Sequence, residues 1–294
     1  MSELHRFLFE GLPVRGMLVR LTDSWQEVLR RRGEHESWPD EVGSLVGQMC
    51  AAGVLMQSNI KFDGALVLQI AGDGPVKLAV AEVQPNLRFR GTATLDGEVP
   101  AGAALEAMVN VGGQGRCAIT LDPTRRQPGQ QPYQGVVALH GDRREPLQRL
   151  SEVLEHYMLQ SEQLDTKLVL AANGQIAAGL LIQRLPVEGE GNLEREGRQG
   201  REDAIGASED FNRIAHLAAT LTEHELLTLD AATVLRRLFW EEDLRLEMPR
   251  TPAFACRCSR ERVRSMLQGL GEQEIAELVA ERGEVEVRCQ FSGL

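Results

Sequence analysis

Residues 187–209 most constrain the fold, because a segment of this composition cannot contribute to a hydrophobic core. The segment is rich in Gly and charged residues and contains almost no bulky apolar side chains. Such a segment buries too little apolar surface to offset the entropy of ordering it, which is typical of a mobile linker. The chain therefore divides near Pro186 into a large N-terminal part and a smaller C-terminal part.

The N-terminal part, residues 1–186, mixes helical and strand-like patterns. Apolar residues at helical spacing predict helices at Ser24–Arg32, Asp40–Asn59 and Glu145–Glu162, with Ser24 and Asp40 as N-caps. Alternating or continuous apolar runs between turn signals predict the strands Ala65–Ile70, Val76–Val83, Leu87–Leu95, Cys117–Leu121, Gly135–His140, Lys167–Leu170 and Ala177–Gln183. We therefore expect an α+β domain with a largely antiparallel sheet.

Residues 187–250 continue from the Gly-rich segment into a charged helical segment, Phe211–Leu246. Its apolar faces are modest, Thr222 and Glu225 have capping-box spacing, and Asp230 can cap the run that follows it. Such short helices depend on packing against neighbours for their stability. We expect residues 187–250 to form a metastable helical linker.

Residues 251–294 are expected to form a small separate unit. The pattern predicts an extended Ala253–Cys258, a helix capped by Ser259, a helix over Glu272–Glu281, and a strand over Val285–Phe291. A unit of this size is close to the ~40-residue limit below which a core rarely suffices, so a metal or a disulfide would help it to fold.

The unit contains Cys256, Cys258 and Cys289, which are three of the five cysteines in the chain. Thiols on two arms can converge on one zinc ion, which binds four ligands in a tetrahedron. From the residues alone, both a structural zinc module and a thiol–disulfide oxidoreductase stay open, although no C-x-x-C lies beside a βαβ pattern. Cys50 and Cys117 lie in apolar or strand-like surroundings and are expected to be buried hydrophobic residues.

Composition and charge exclude other classes of function. The formal net charge is -11 and no basic stripe is visible, so nucleic acid is not an expected partner. No apolar run approaches the ~18 residues that a membrane span needs, and the first residues do not resemble a secretory signal. No phosphate-binding P-loop occurs, and the histidines form no H-x-x-x-H pair. We expect a cytoplasmic protein.

Several motifs together resemble one known family. Near the C-terminus, Cys256-x-Cys258 is followed by Ser259–Arg262, and Gly283–Val287 precedes Cys289. In the N-terminal part, the matching motifs are His5–Glu10, Lys61–Gly64, Gly72–Pro75, Tyr133–Val137 and Ser161–Leu164. This combination resembles the redox-regulated heat-shock holdases of the bacterial cytosol, also called 33 kDa chaperonins. The family pattern ends in C-x-x-C, whereas this chain has Ser292 at the last position.

The resemblance implies an ATP-independent chaperone, not an enzyme, that binds unfolded or oxidatively damaged client proteins and dimerises when oxidised. It implies a zinc site at Cys256, Cys258 and Cys289 in the reduced state, and a Cys256–Cys258 disulfide after oxidation. Zinc release would then unfold residues 251–294 and the linker, exposing apolar surface in residues 1–186. Because Ser292 replaces a thiol, we expect less than one equivalent of tightly bound zinc. Once Cys256 and Cys258 are joined, we expect no nearby intrachain partner for Cys289, which is left to form a sulfenic acid or an intermolecular bridge.

Overall fold

The computed structural model describes residues 1–33, 37–125, 129, 131–185, 208–256, 258–284, 287 and 289–291. In these ranges the strands are β1 (Glu3–Phe9), β2 (Val14–Leu21), β3 (Gly64–Ala71), β4 (Val76–Val83), β5 (Arg88–Leu95), β6 (Arg116–Pro123), β7 (Tyr133–Ala138), β8 (Thr166–Ala172), β9 (Ala177–Arg184), β10 (Leu244–Leu246) and β11 (Ala253–Phe254). The helices are α1 (Asp23–Gly33), α2 (Asp40–Asn59), α3 (Leu105–Val109), α4 (Leu150–Glu162), α5 (Glu209–Ala219), α6 (Glu223–Thr228), α7 (Ala231–Phe239), α8 (Arg260–Leu270) and α9 (Glu272–Arg282). Of the predicted linker, residues 187–250, the Gly-rich beginning lies outside the described residues, because 186–207 are not among them.

The strands form two sheets with one helix between them. Sheet A has the order β10-β1-β2-β9-β8, and sheet B has the order β11-β5-β4-β3-β6-β7. All pairings are antiparallel except that of β11 with β5. Helix α2 packs against strands of both sheets and is buried on nearly all sides, as expected for a helix with little polar surface. It passes so close to β5 that a Cβ on Gly91 would lie 2.7 Å from the Sγ atom of Cys50.

The face of sheet A that points away from α2 is apolar and is covered by α5, α6 and α7, here called the cover helices. Phe7, Leu18 and Ile182 from the sheet are almost completely buried together with Ile214 and Phe239 from the cover helices. The predicted helical segment after residue 209 therefore does have the neighbour that its apolar faces require. Its stability depends on that neighbour rather than on local propensity.

Residues 244–254, here called the strap, join one edge of each sheet. Strand β10 pairs with β1 at the edge of sheet A, and β11 pairs with β5 at the edge of sheet B. Between them, the amide groups of Leu4 and Arg250 each donate to the other's carbonyl oxygen, at 2.8 and 3.0 Å. The strap connects the cover helices to the C-terminal unit along this shared side of the molecule.

The α+β class and the largely antiparallel pairing predicted from the sequence are confirmed, but several element bounds are wrong. Helix α4 begins at Leu150 rather than Glu145, because Pro146 forms a β-bridge with His140. Asp40 is the first helical residue of α2 rather than its N-cap, and Ser24 likewise lies inside α1.

Several strands also differ from those predicted. The predicted helical segment ends in β10, which pairs with β1. The described residues of the predicted strand Val285–Phe291, namely Val287 and 289–291, contain no strand, and Gln290 and Phe291 lie in a turn. Strands β1 and β2 and helix α3 were not predicted at all. Among the described residues, no helix combines the length and the hydrophobicity needed to cross a bilayer.

Candidate metal and redox centre

Two arms of the C-terminal unit bring three thiols together. Cys256 follows β11, Cys258 directly precedes the N-cap of α8, and Cys289 follows the turn after α9. Their sulfur atoms all lie within 4.8 Å of one another, and the Sγ atoms of Cys256 and Cys289 are 3.5 Å apart. We call these three residues the thiol cluster.

Local capping explains why the chain folds back on itself here. The side chain of Ser259 accepts a hydrogen bond from the amide of Arg262 and so starts α8 directly after Cys258. Gly283 ends α9 with a φ of 82°, a left-handed conformation that glycine adopts without strain. The Ser259 cap was predicted from the sequence, and Gly283 was predicted as a turn. Both predictions are confirmed.

The arm that carries Cys256 is held on strand β5 by backbone hydrogen bonds. The amide of Ala253 donates to the carbonyl of Leu87 at 3.3 Å, and the amide of Ala255 donates to that of Phe89 at 3.0 Å. Phe254 packs against the main core, where the Arg31 guanidinium lies 5.1 Å from its ring centroid. Cys256 is therefore placed by a strand pairing that only the tertiary fold provides.

The arm that carries Cys289 rests on the same strand through side chains. The hydroxyl of Thr92 donates to the carbonyl of Gln290 at 2.7 Å, and Thr92 is 3% exposed. The guanidinium of Arg90 lies 4.1 Å from the ring centroid of Phe291, a cation–π contact. Arg90 is itself oriented by Glu82, which accepts from its Nε at 3.0 Å. Both arms of the thiol cluster are thus docked on the edge of sheet B.

The thiols of the cluster influence one another's ionisation. Partial desolvation, followed by hydrogen bonding and charge repulsion from Cys289 and Cys256, raises the pKa of the Cys258 thiol to about 12. Three neighbouring thiolates repel one another unless a cation lies among them. A coordinated metal ion reverses this effect and deprotonates a ligating thiol. The cluster is therefore an arrangement that favours a bound cation.

The distances fit a zinc ion with thiolate ligands. A zinc–sulfur bond of about 2.3 Å implies sulfur atoms about 3.8 Å apart in a tetrahedron. The observed separations require adjustments of an ångström or less to meet this value. The structure therefore brings together the three residues that the sequence indicated as ligands and supplies three of four positions. Ser292, which occupies the fourth position of the sequence pattern, lies outside the described residues.

The remaining expectations for the cysteines had mixed outcomes. Cys50 and Cys117 are completely buried, and burial raises the pKa of both thiols, for Cys117 to about 12. They are buried hydrophobic residues, as predicted. Cys289 contacts Cys256 while both are free thiols, and the expectation that it lacks a partner once Cys256 and Cys258 are joined stays a prediction. The Cys256–Cys258 disulfide stays a prediction.

The residues that dock the thiol cluster carry no recognisable signal in the sequence. Glu82, Arg90 and Thr92 lie on the outward-facing side of β4 and β5, where polar residues are ordinary. Their alternation with apolar residues is the signature of any half-buried strand. No local signal could have distinguished them from a solvated face.

Polar contacts as well as apolar packing hold the cover helices on sheet A. Arg20, on β2, donates to the carbonyl of Leu226 at 2.9 Å and also to that of Leu229, at the C-terminal end of α6. Burial lowers the pKa of the Arg20 guanidinium, while Glu3 and Asp230 act in the opposite direction. On α7, Phe239 makes an edge-to-face contact with Phe9, with ring centroids 5.0 Å apart. The cover therefore depends on a few well-placed side chains.

Comparisons with known proteins agree with this arrangement. The family model described as Hsp33 protein matches residues 2–294. A 33 kDa chaperonin of Chromobacterium violaceum is 45% identical over 290 residues, covering 99% of this chain and 88% of the relative. One of Methylobacillus flagellatus is 40% identical over 291 residues, covering 99% and 89%. The crystal structure of the 33 kDa chaperonin of Thermotoga maritima, at 20% identity, has the same fold with a TM-score of 0.74, covering 100% of this chain and 93% of that one.

Proposed function

Since the chain belongs to the Hsp33 family, it is a redox-regulated holdase chaperone, and we propose that the apolar face of sheet A binds its clients. In this proposal the cover helices occupy that face while the thiols are reduced. Oxidation of the thiol cluster removes the cover, and unfolding proteins then bind to the exposed apolar side chains. Clients are held and kept from aggregating, without ATP and without catalysis.

The observation that carries this proposal is the composition of the interface between sheet A and the cover helices. The sheet contributes a continuous apolar layer that includes Phe7, Phe9, Leu18, Leu180 and Ile182. A free sheet face of this kind would be an exposed hydrophobic patch, which marks an interaction site in a soluble protein. The cover helices are short and amphipathic, and such elements open at a lower free energy than the main core.

The strap supports a coupling between the thiol cluster and the cover. Four residues separate the strap from the end of α7, and only Ala255 separates it from Cys256, while its strands β10 and β11 pair with one sheet each. We assign client binding and dimerisation to residues 1–186, the removable cover to residues 187–250, and redox sensing to residues 251–294. A change that frees β11 from β5 also weakens the attachment of β10 to β1 and hence the end of the cover.

We propose zinc as the cofactor of the reduced protein, with Cys256, Cys258 and Cys289 as ligands. When bound, the metal supplies a positive charge that keeps the thiols ionised and adds its binding free energy to the folding of the small unit. The thiol cluster orients the three sulfurs, and Thr92 and Arg90 hold the Cys289 arm in place. Oxidation consumes ligand sulfurs, and the unit loses the stabilisation that depended on them. In this proposal the product of oxidation is the Cys256–Cys258 disulfide that the family resemblance implies.

The proposed partners are unfolding or oxidatively damaged proteins and, after oxidation, a second copy of this chain. Exposed apolar surface favours both kinds of association. The net charge of -11 disfavours nucleic acid as a partner. We further propose that the protein acts in the cytoplasm, where thiols are kept reduced until oxidative stress.

The proposal is tested by oxidising the zinc-loaded full chain with hydrogen peroxide. We expect zinc release, increased suppression of the aggregation of thermally unfolding citrate synthase, and loss of amide-exchange protection in residues 209–239. Cys256→Ser should weaken zinc binding and raise the activity of the reduced protein, whereas Cys117→Ser, at a buried thiol outside the cluster, serves as the matched control. Retention of full exchange protection in the cover helices of an active, oxidised protein would contradict the proposal.

A further inference from the structure

We propose that oxidation first joins Cys256 to Cys289, and that Cys258 then displaces Cys289 to give the Cys256–Cys258 disulfide. The inference rests on the proposed function and specifies the order of its thiol chemistry. It assigns Cys258 the role of a resolving thiol and makes the Cys256–Cys289 bond an intermediate of the switch.

The geometry of the docked arms favours Cys256 and Cys289 as the first pair. Their Sγ atoms are 3.5 Å apart, and a disulfide needs about 2.05 Å, so a small side-chain movement suffices. The arms that carry them are both fixed on β5, through the Ala255 amide on one side and through Thr92 on the other. The fold therefore holds these two sulfurs in contact before any oxidant arrives.

A bond between Cys256 and Cys258 is harder to form while the unit is folded. Alternate residues of an extended chain have Cα atoms roughly 6.6 Å apart, near the upper limit for a disulfide and beyond its usual 5.5–6 Å. Closing a bond across one intervening residue therefore requires the backbone to bend. Ala255, the residue before Cys256, is held on β5 by its hydrogen bond to Phe89, and this attachment resists such bending.

The first step is a two-electron oxidation by a peroxide. The thiolate of Cys256 attacks one peroxide oxygen, the O–O bond breaks, and Cys256 becomes a sulfenic acid while hydroxide leaves. The thiol of Cys289 then attacks the sulfenic sulfur, an S–S bond forms, the S–O bond breaks, and water leaves. Sulfur has been oxidised and peroxide reduced, and no other reactant is needed.

The second step is thiol–disulfide exchange without net oxidation. The Cys258 sulfur gives up its proton and attacks the sulfur of Cys256, the Cys256–Cys258 bond forms, and the Cys256–Cys289 bond breaks. Cys289 leaves as a thiolate and takes up a proton. Cys258 is exposed and its sulfur lies within 4.8 Å of both other sulfurs, so it can reach the new bond. This step requires bending of the Cys256 arm, which makes it slower than the first.

The two disulfides have opposite effects on the unit. A Cys256–Cys289 bond encloses α8 and α9 in a loop and ties the Cys289 arm to β5 through Cys256, so the unit stays closed. A Cys256–Cys258 bond constrains only a local ring and frees the Cys289 arm. Chaperone activity should therefore rise together with the amount of the Cys256–Cys258 disulfide, and not with the earlier loss of free thiols to the Cys256–Cys289 bond.

The order in which the two disulfides form is tested on the full chain. A chelator first removes any bound metal, so that differences in metal binding do not affect the rates at which the disulfides form. Samples treated with hydrogen peroxide are quenched at intervals with N-ethylmaleimide, digested without reduction and analysed by mass spectrometry. We expect the Cys256–Cys289 peptide to appear first and to decay as the Cys256–Cys258 peptide grows. A Cys256–Cys258 peptide that predominates from the earliest times would overturn the inference.

Two variants provide an independent measurement. Cys258→Ser should stop at the Cys256–Cys289 bond. On oxidation, its aggregation suppression should increase by at most one third of the increase seen with the unsubstituted chain. Cys289→Ser should form the Cys256–Cys258 bond without a lag. Full activation of oxidised Cys258→Ser would overturn the inference. If Cys289→Ser acquires the Cys256–Cys258 bond but no activity, the proposed function fails, while the order of the bonds is judged separately from the time course.

Discussion

Truncating Phe239 should release the cover helices without any oxidation. Its side chain is 2% exposed and contacts the rings of Phe9 and Phe7, with centroids at 5.0 and 6.1 Å. Replacing a buried Phe by Ala costs about 3–5 kcal/mol, because transfer free energy and contacts are lost and a cavity remains. Since about 1.4 kcal/mol changes an equilibrium tenfold, a loss of ~4 kcal/mol raises the ratio of open to closed cover about a thousandfold.

The assay compares reduced, zinc-loaded proteins. Phe239→Ala should suppress citrate synthase aggregation and bind a hydrophobic dye at levels that the unsubstituted chain reaches only after peroxide. Leu154→Ala is the matched control, because Leu154 is 1% exposed but lies in the main core on α4, away from the cover. Equal activation of both variants would mean that general destabilisation, rather than uncovering of sheet A, produces activity. No activation of Phe239→Ala would refute the assignment of this face.

Three further substitutions probe the contacts that connect the cover, the strap and the thiol cluster. Arg20→Met removes charge-assisted hydrogen bonds to the C-terminal end of α6, worth about 1.5–3 kcal/mol. The reduced variant should therefore suppress aggregation more than the reduced unsubstituted chain. Unchanged amide exchange at Leu226 would show that these bonds do not hold the cover helices. Thr92→Val removes the hydroxyl that donates to Gln290, at a cost of about 0.5–1.5 kcal/mol. Zinc release to a chelator should then be several-fold faster. An unchanged rate would show that this contact does not hold the Cys289 arm. Ser292→Cys completes the four-thiol pattern and should tighten zinc binding and lower reduced-state activity, as measured by metal competition and light scattering; unchanged affinity would show that this position does not limit the site.

The elements that could be predicted from the sequence are those whose signals are local. Helix α2 was predicted to within one residue because its apolar pattern continues over 20 residues. The caps of α6, α7 and α8 were predicted because Thr222, Asp230 and Ser259 act on amides three residues further on. Where a distant contact intervened, prediction failed: Leu246 belongs to a strand only because β1 offers it a partner.

The candidate site divides in the same way. The spacing of Cys256, Cys258 and Cys289 is enough to indicate a thiol site, since few other arrangements of three cysteines are useful in so short a unit. It does not indicate that Cys289 contacts Cys256 directly. Nor does it indicate Thr92 and Arg90, which are nearly 200 residues away from the arm they hold.

By itself, the sequence determined the class of fold, the helices with strong periodicity and the identity of the three thiols, whereas the division near Pro186 stays a prediction. Only the tertiary structure decided that α2 lies between two sheets, that the cover helices lie on sheet A, and that the thiol cluster docks on sheet B. The physical reason is the distance along the chain over which each interaction acts. Caps and periodicities act over a few residues and can be recognised from their own segment. The choice among the apolar faces available to a helix or a strand depends on the shapes of all faces together, and that choice is made only when the chain packs.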